Sequence, residues 1–354
     1  MMPEININGI KIGNEHPCYT IAEAGANHDG DLSKAFKLID AAIEAKSDSI
    51  KFQTYTANKL VTKTAPKYWD DGKKDETQFD VFSKLDHLTN DNWKQIFEYA
   101  ENKNFLCFST PFDEESVDLL YKLGVPAFKI ASADITHIPL IKHISQKNLP
   151  IFISTGMAND LEIKEAIDTI KNQGNNNIII MHCITSYPTN PEDANLEMIR
   201  TLKTNYPEYV IGYSDHTLGT LIPTLSTIYG AKCIEKHFTF DSSLTISPDH
   251  RLSLDKFSFK TMVDQLKIAY SSTGSAIRDS FNSESESIKY ARRSIVLTKK
   301  LSKGDIITKD IIDIKRPGTG ISPKFLEEII GKILVNNVDD DIPLQWSDLG
   351  THEK

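Results

Sequence analysis

The chain has 354 residues, which is too long for one ordinary domain and predicts one large domain with a small one. Its composition, 40% hydrophobic and 25% charged, is that of a globular protein, and no apolar run is long enough to cross a membrane. The net charge of −9 argues against a nucleic-acid partner held by phosphate contacts. It does not exclude an anionic substrate, because a few lysines in a cleft set the local field.

The cysteines and the N-terminus indicate the cellular compartment. No basic region followed by an apolar core opens the chain, so we expect no signal peptide. The four cysteines lack the spacing of a metal site, and three of them fall inside apolar runs, which favours buried free thiols. We therefore expect a cytoplasmic protein. The cysteines are Cys18, Cys107, Cys183 and Cys233.

A β-hairpin is predicted at the start of the chain, with strands at residues 5–7 and 10–12 around an Asn-Gly turn. One pattern then recurs: a short apolar run, followed by a longer segment with apolar residues three and four apart. Such runs predict parallel strands covered by helices on both faces. The runs are residues 19–24, 49–54, 105–110, 127–132, 151–155, 178–183, 209–215 and 232–238.

Eight such units in about 250 residues favour an α/β fold of the closed (β/α)8 TIM-barrel type over an open doubly wound sheet. Almost every run ends in polar side chains, and in a parallel barrel these ends share the rim where catalytic residues collect. The hairpin is expected to close the opposite end. The polar ends include Glu23, Lys51, Gln53, Thr110, Lys129, Ser132, Ser154, Tyr187, Ser214, His216, Glu235 and His237.

Two connections are unusually long. Residues 55–90 are polar and irregular, which indicates a lid, a partner contact or a disordered excursion. Residues 241–253 follow the eighth run and carry Asp249. We predict a catalytic barrel at residues 1–275, a linker rich in Ser, Gly and Glu at 276–290, and a small β-rich domain at 291–354.

The candidate chemistry begins with two lysines. Lys51 and Lys129 interrupt apolar runs, and a lysine that points into a barrel is too costly to be incidental. With the hydroxyls of Ser132 and Ser154 they could hold a phosphate or a phosphate-carboxylate ligand.

Two histidines and several carboxylates accompany the lysines. His216 and His237 end adjacent runs, which suits an open divalent-metal site that polarises a carbonyl, whereas His182 fits a satisfied core histidine better. Glu23 lies in an apolar run, where burial would raise its pKa toward that of a general acid or base. Asp134 and Glu235 could act similarly, and a structural salt bridge is the alternative for each.

These stretches resemble the sialic acid synthase family, the phosphoenolpyruvate-dependent synthases of N-acetylneuraminate, legionaminate and pseudaminate. The resemblance covers nearly the whole chain, and the tail around Arg316 resembles the family's C-terminal SAF (antifreeze-like) domain. The matching stretches begin at Ile21, Lys51, Ser109, Phe128, Ser154, Gly212 and Ile234.

The resemblance implies a reaction in which phosphoenolpyruvate, an open-chain N-acyl mannosamine-type sugar and water give a nine-carbon 2-keto acid and phosphate. It implies catalytic roles for Glu23, Asp134 and Lys51, with Glu23 managing the water that adds to C2. A divalent metal, Mn²⁺ with Mg²⁺ or Co²⁺ as alternatives, would bind His216 and His237. Phosphoenolpyruvate would bind Lys51, Thr110, Lys129, Ser132, Ser154, Thr185 and Ser214. The sugar would contact Gln53, Tyr187, Asp249 and, from the partner of a domain-swapped homodimer, Arg316.

The sequence departs from the family pattern at four places, three of which lie near the sugar side of the site. Asp134 stands where the family commonly has Glu, Thr185 where the neuraminate enzymes have Asn, and Ser247 where Gly is usual before Pro-Asp. The segment around Trp69 also departs from the neuraminate pattern. N-acetylneuraminate is the first expected product, and N,N'-diacetyllegionaminate and pseudaminate are the alternatives.

Three other functions compete with the synthase. A Schiff-base aldolase would use Lys129 or Lys51 as its nucleophile, although the sixth run, where sialic acid aldolases carry theirs, contains no lysine. A metal hydrolase would use the two histidines to activate water. An ice- or carbohydrate-binding module would explain the tail but not the buried lysines.

Overall fold

The computed structural model of the chain describes residues 3–69, 75–277 and 282–350. The chain forms two compact units, Met1–Thr273 and Gly274–Lys354. Within the described residues, no helix has the length and apolar character needed to span a membrane.

The first unit is a closed barrel of eight parallel strands, so the predicted TIM barrel is confirmed. Neighbouring strands follow one another in the chain, and β10 pairs with both β9 and β3 to close the barrel. The strands are β3 (Tyr19–Gly25), β4 (Ser49–Thr54), β5 (Leu106–Pro111), β6 (Phe128–Ile130), β7 (Ile151–Ser154), β8 (Ile178–Cys183), β9 (Val210–Asp215) and β10 (Cys233–His237).

Helices surround the barrel because their apolar stripes pack on the outward faces of the strands. The first ring helix shows the pattern: the side chain of Asp31 caps its N-terminus, and Leu38, Ile39 and Ala42 are buried against the strands. The helices of this unit are α1 (Leu32–Glu44), α2 (Ala57–Leu60), α3 (Gln78–Phe82), α4 (Asn90–Asn102), α5 (Glu114–Lys122), α6 (Ile138–Ser145), α7 (Asp160–Asn172), α8 (Glu197–Asn205), α9 (Leu221–Tyr229) and α10 (Lys256–Ser272).

The predicted hairpin closes the N-terminal end of the barrel. It consists of β1 (Glu4–Ile7) and β2 (Ile10–Gly13), which pair in an antiparallel register. Ile5, Ile7 and Ile12 are buried in the barrel core. The opposite end, where the strands terminate, is therefore the open one.

The second unit is a small β-rich domain with its own apolar core. A short helix without buried residues, α11, occupies the second half of the segment predicted as a linker, since polar side chains all round suit an exposed helix. The helices and strands of the second unit are α11 (Ser285–Ala291), β11 (Ser294–Leu297), β12 (Ile312–Lys315), α12 (Leu326–Ile329), β13 (Ile333–Leu334) and β14 (Leu349–Gly350).

Candidate active site

A cavity of about 480 Å³ opens at the carboxyl ends of the barrel strands. It gathers every site residue expected from the sequence except Arg316, which lies exposed in the second unit, directly after β12. The role of Arg316 therefore stays a prediction. The expected residues that line the cavity are Glu23, Lys51, Gln53, Thr110, Lys129, Ser132, Asp134, Ser154, Thr185, Tyr187, Ser214, His216, His237 and Asp249.

Two buried lysines lie at the floor of the cavity. Lys51 donates to the Thr110 hydroxyl over 2.8 Å, and its Nζ lies 2.7 Å from a carboxylate oxygen of Glu23. Lys129 donates to the Ser154 hydroxyl over 2.7 Å. Burial lowers the pKa of Lys129, because the charged ammonium has lost its water. Two cations at the floor of one cavity make a site for an anion with two charged groups.

Glu235 lies between these lysines. One of its carboxylate oxygens is 3.9 Å from the Nζ of Lys51, and the other is 3.9 Å from the Nζ of Lys129. The second oxygen also accepts a hydrogen bond from the Ser214 hydroxyl over 3.0 Å. Burial would raise the pKa of Glu235, but Lys129 and Lys51 hold it below its usual range. From the sequence, Glu235 was only a further candidate for the acid–base role predicted for Glu23. Its place two positions before His237 in β10 could have identified it, because alternate residues of a strand face the same side.

Glu23 differs from Glu235 although both are buried. Burial and the neighbouring Glu235 charge raise the pKa of Glu23 to about 7, against the opposing effect of Lys51. One carboxylate oxygen of Glu23 accepts a hydrogen bond from Gln53 over 3.0 Å. A carboxyl group with a pKa near neutrality can both take up and release a proton at physiological pH.

Asp134 is the third carboxyl group of the cavity. It ends a 3-10 turn, Ser132–Asp134, that immediately follows β6. One of its carboxylate oxygens is buried and has no hydrogen-bond partner among the described residues. Burial raises the pKa of Asp134 to about 6, only partly offset by His137 and Lys129. A buried acceptor without a partner is costly, which is typical of a functional group.

His216 and His237 lie side by side, with ring centroids 5.3 Å apart. The Nδ1 of His216 is 2.7 Å from the carbonyl oxygen of Ile184, an arrangement that leaves Nε2 as the free lone pair. Burial and the neighbouring cationic groups lower the pKa of His237 well below its usual range, and a neutral imidazole is the form that binds metals. The Nδ1 of His237 has no hydrogen-bond partner among the described residues. These two donors fit an open metal site.

No third protein ligand completes a metal cluster among the described residues, since they contain no group of three His, Cys, Asp or Glu side chains suited to one. Asp249 lies nearest, with a carboxylate oxygen 3.7 Å from the Nδ1 of His237. Open positions on a metal are what substrate oxygens and water occupy in catalytic sites.

The sequence predicted that His182 and Cys183 are ordinary buried side chains, and only one of them lies away from the cavity. His182 is a core histidine, as predicted, because its Nε2 lies 2.8 Å from the Ala194 carbonyl and its ring stacks on Tyr213. Cys183 is free and buried, as predicted, but it lines the cavity with its sulfur 3.9 Å from the Nδ1 of His216.

An ion pair on the outer side of β9 and β10 supports the histidines. Lys236 and Asp215 are both fully buried and 2.5 Å apart, and Lys236 also donates to the Thr217 carbonyl. Asp215 in turn accepts from the backbone N–H and hydroxyl of Thr217. Since each member of the pair precedes a histidine in the chain, the pair holds both histidine backbones.

We expect Lys236→Met to lower the free energy of unfolding by about 3–5 kcal/mol, because it leaves the Asp215 carboxylate buried and unpaired. Urea denaturation followed by tryptophan fluorescence measures the loss. The matched control is Lys260→Met in the half-exposed i, i+4 pair with Asp264, which should cost less than about 1 kcal/mol. Equal losses in the two variants would contradict the role of burial.

Part of the long connection between β4 and α4 lines the cavity. Tyr68, Trp69 and Phe82 of this segment line the cavity beside Tyr187. The ring of Tyr68 lies 6.2 Å from that of Tyr187, which packs 4.2 Å from His216. The segment therefore reaches the tyrosine that packs against His216.

Buried cations are costly in a protein interior, and catalytic residues collect at the carboxyl ends of barrel strands, so the cavity has the character of the active site of a barrel enzyme. The particular family follows from comparison with known proteins. The NeuB family model matches residues 38–278, and the SAF domain model matches residues 292–350. The chain belongs to the NeuB family, as the sequence resemblance indicated.

The relatives include synthases of sialic-acid-type sugars. An N,N'-diacetyllegionaminic acid synthase of Legionella pneumophila is 40% identical, over 96% of this chain and 97% of its own. A pseudaminic acid synthase of Campylobacter jejuni is 34% identical, over 96% and 99%. A solved structure of N-acetylneuraminic acid (sialic acid) synthetase from Leptospira borgpetersenii, in complex with citrate, has a TM-score of 0.72 and 36% identity, and covers 81% of this chain and 96% of that one.

Proposed function

We propose that the chain condenses phosphoenolpyruvate with an open-chain N-acyl mannosamine-type sugar. The C3 carbon of phosphoenolpyruvate forms a bond with the aldehyde carbon, and water adds to C2. The bond between C2 and the bridging oxygen then breaks, which releases phosphate and leaves a nine-carbon 2-keto acid. Of the two protons of the water, one ends on the former aldehyde oxygen, which becomes a hydroxyl group, and the other on the phosphate. The observation that carries the proposal is the pair of buried lysines at the cavity floor, beneath two adjacent histidines.

Phosphoenolpyruvate fits the floor of the cavity because its phosphate and carboxylate match the two cations. Lys51 and Lys129 would neutralise these groups, and hydroxyls beside them would accept or donate the remaining hydrogen bonds. The residues proposed to hold it are Lys51, Thr110, Lys129, Ser132, Ser154, Thr185 and Ser214. In the free protein the carboxyl groups of Glu23 and Glu235 lie beside the lysines and stabilise their buried charges.

Proton transfer falls to Glu23 and Asp134, two carboxyl groups whose pKa values are raised by burial. Glu23, with a pKa of about 7, takes the proton from the water that adds to C2. Asp134, with a pKa of about 6, lies in the turn that contains Ser132 and is mostly ionised at neutral pH; it takes the proton of the new C2 hydroxyl and passes it to a phosphate oxygen as the C–O bond breaks. Gln53 keeps Glu23 oriented through their hydrogen bond.

A divalent metal would be held by His216 and His237, with Mn²⁺ as the first choice and Mg²⁺ or Co²⁺ as alternatives. When bound, such a metal polarises the aldehyde carbonyl of the sugar. Gln53, Tyr187 and Asp249 border this part of the cavity and would contact the sugar hydroxyl and acyl groups.

Phosphate release tests the reaction. Purified protein is incubated with Mn²⁺, phosphoenolpyruvate and, separately, N-acetylmannosamine, 2,4-diacetamido-2,4,6-trideoxymannose and the pseudaminate precursor. Phosphate should appear only when a sugar is present, with a product of the summed mass, and ¹⁸O in the bridging position should leave with the phosphate. Phosphate release without any sugar would favour a hydrolase, and covalent trapping of pyruvate by borohydride would favour an aldolase.

The active enzyme is proposed to be a domain-swapped homodimer in which Arg316 of the partner subunit contacts the sugar. Arg316 is exposed in the small domain. The proposal rests on the family resemblance and on this exposure.

Complementation between two inactive variants tests the shared site. Glu23→Gln and Arg316→Ala should each lose most activity, and their mixture after co-refolding should recover about a quarter of it, because half of the dimers are mixed and each has one intact site. Separately refolded proteins, mixed only at assay, provide the baseline. Full activity of Arg316→Ala alone would exclude the arginine from the site.

A further inference from the structure

A second and much smaller pocket adjoins the cavity. Gln53, near the end of β4, and Tyr55, which directly follows that strand, line both spaces. The small pocket has a volume of about 10 Å³, which is the room that a single water molecule needs. Its polar lining residues are His28, Gln53, Tyr55 and Asp86.

Two polar groups at the small pocket lack a protein partner. The Nε2 of His28 and the hydroxyl of Tyr55 are buried, and neither has a hydrogen-bond partner among the described residues. His28 is only 2% exposed, and its ring lies 6.1 Å from that of Phe52 and 5.9 Å from that of Trp93. A buried polar group without a partner costs about 1–3 kcal/mol. Two such groups beside one water-sized space therefore indicate that a water molecule fills it.

The His28 ring can only donate a hydrogen bond into the small pocket. Its Nδ1 accepts a hydrogen bond from the backbone N–H of Gly30 over 3.0 Å, so the lone pair of the ring lies on that nitrogen. Burial lowers the pKa of His28 to about 4, which keeps the ring neutral and its single proton on Nε2. A water molecule that accepts from Nε2 keeps both of its own hydrogens for other acceptors.

The side chain of Gln53 offers one of these acceptors. Its Nε2 donates to a carboxylate oxygen of Glu23 over 3.0 Å, whereas its carbonyl oxygen accepts no hydrogen bond among the described residues. A water molecule that donates to this carbonyl oxygen holds the amide with its N–H toward Glu23. The reversed amide would place its oxygen against the carboxylate and disfavour the ionised form. The Asp86 carboxylate can take the second hydrogen of the water.

We infer that the small pocket binds one ordered water molecule between the His28 N–H and the Tyr55 hydroxyl. This water holds the Gln53 amide and, through it, the catalytic carboxyl group of Glu23 in position. His28 and Tyr55 are thus positioning residues that act through the water and Gln53. The role of Glu23 rests on the proposed function, whereas the water site itself does not.

A high-resolution crystal structure of the full chain tests the water site directly. Density for one water molecule should lie within hydrogen-bond distance of the His28 Nε2, the Tyr55 hydroxyl and the Gln53 carbonyl oxygen. The water should be absent from a His28→Phe variant, which keeps an aromatic ring but has no N–H. A dry pocket in the parent protein would overturn the inference.

Steady-state kinetics test the positioning role. Tyr55→Phe removes a hydroxyl group without a protein partner, and it should lower kcat about three- to tenfold, which is the worth of one hydrogen bond. The KM for phosphoenolpyruvate should stay nearly unchanged, because Lys51 and Lys129 are untouched. In a Gln53→Leu background, Tyr55→Phe should lower kcat less than about twofold, since the connection to Glu23 is already broken. Losses that multiply in this background would overturn the inference.

Variants of His28 and a tyrosine outside both pockets complete the test. His28→Phe should lower kcat like Tyr55→Phe, and His28→Gln should recover part of that loss, because a glutamine amide can again donate to the water. Tyr99→Phe is the matched control, since its hydroxyl on α4 donates to Asp40 over 2.8 Å and lines neither pocket. It should lower stability and leave kcat unchanged. If the parent protein releases no phosphate with any of the sugars, the proposed function fails, and the crystal structure alone decides whether the water site exists.

Discussion

Replacing His237 by alanine is expected to reduce turnover by about 1,000-fold or more while leaving the fold intact. His237 ends β10 at the cavity, and its Nδ1 has no hydrogen-bond partner among the described residues. The substitution therefore breaks no internal hydrogen bond and enlarges a cavity that is already open. The loss should come from metal binding, because a neutral imidazole has been removed from a pair of donors.

Two measurements on the His237→Ala variant separate metal binding from stability. Titration calorimetry with Mn²⁺ should show a large loss of affinity, and the thermal unfolding midpoint without metal should change little. His143→Ala is the matched control, since this histidine lies on α6 and pairs with Asp118 away from the cavity. If the His237 variant binds Mn²⁺ like the parent protein, the histidine pair is not the metal site.

The barrel could be predicted from the sequence because strands buried on both faces form continuous apolar runs. The runs at 49–54 and 178–183 coincide with β4 and β8. The run at 127–132 was too long, since β6 covers only Phe128–Ile130 and the chain then turns at Ser132–Asp134. Strand ends are hard to locate where a polar turn continues an apolar run.

The floor of the site was predictable for a similar reason, because Lys51 and Lys129 interrupt such runs and must point inward. The aromatic side chains of Tyr68 and Trp69 that line the cavity could not be predicted in this way. Tyr68 and Trp69 lie in an irregular segment without periodicity, and only tertiary contacts bring them to Tyr187. The position of Glu235 between the two lysines could not be predicted either, because the lysines come from strands that are distant from it in the chain.

Exchanging Asp134 for asparagine is expected to stabilise the protein and at the same time to lower turnover about 100-fold or more. Asparagine keeps the shape of the side chain but cannot ionise or transfer a proton. Burial raises the pKa of Asp134 from 3.8 to about 6, so at neutral pH the folded state carries a charge that it disfavours. Removing that charge should raise the free energy of unfolding by about 1–2 kcal/mol at pH 8, allowing for partial solvent screening.

The sign of the effect follows from proton linkage. The folded-state pKa lies above the unfolded value, so the carboxyl group's contribution to stability is fully present below about pH 4 and is lost as the pH rises through about 6. The stability difference between variant and parent should therefore be near zero at pH 4, grow between pH 4 and pH 6, and stay constant above pH 7. Urea denaturation at several pH values measures it.

Two further substitutions make the result specific to this site. Asp91→Asn on the exposed face of α4 should show no such pH-dependent gain, since that carboxyl group stays in water. Asp134→Glu keeps an ionisable group at the position where the family commonly has one, so it should retain more turnover than Asp134→Asn without the gain in stability. If the Asp134→Asn variant is stabilised and fully active, the unfavourable burial of this carboxyl group serves no catalytic purpose. The proton for the departing phosphate would then have to come from Glu23 or water.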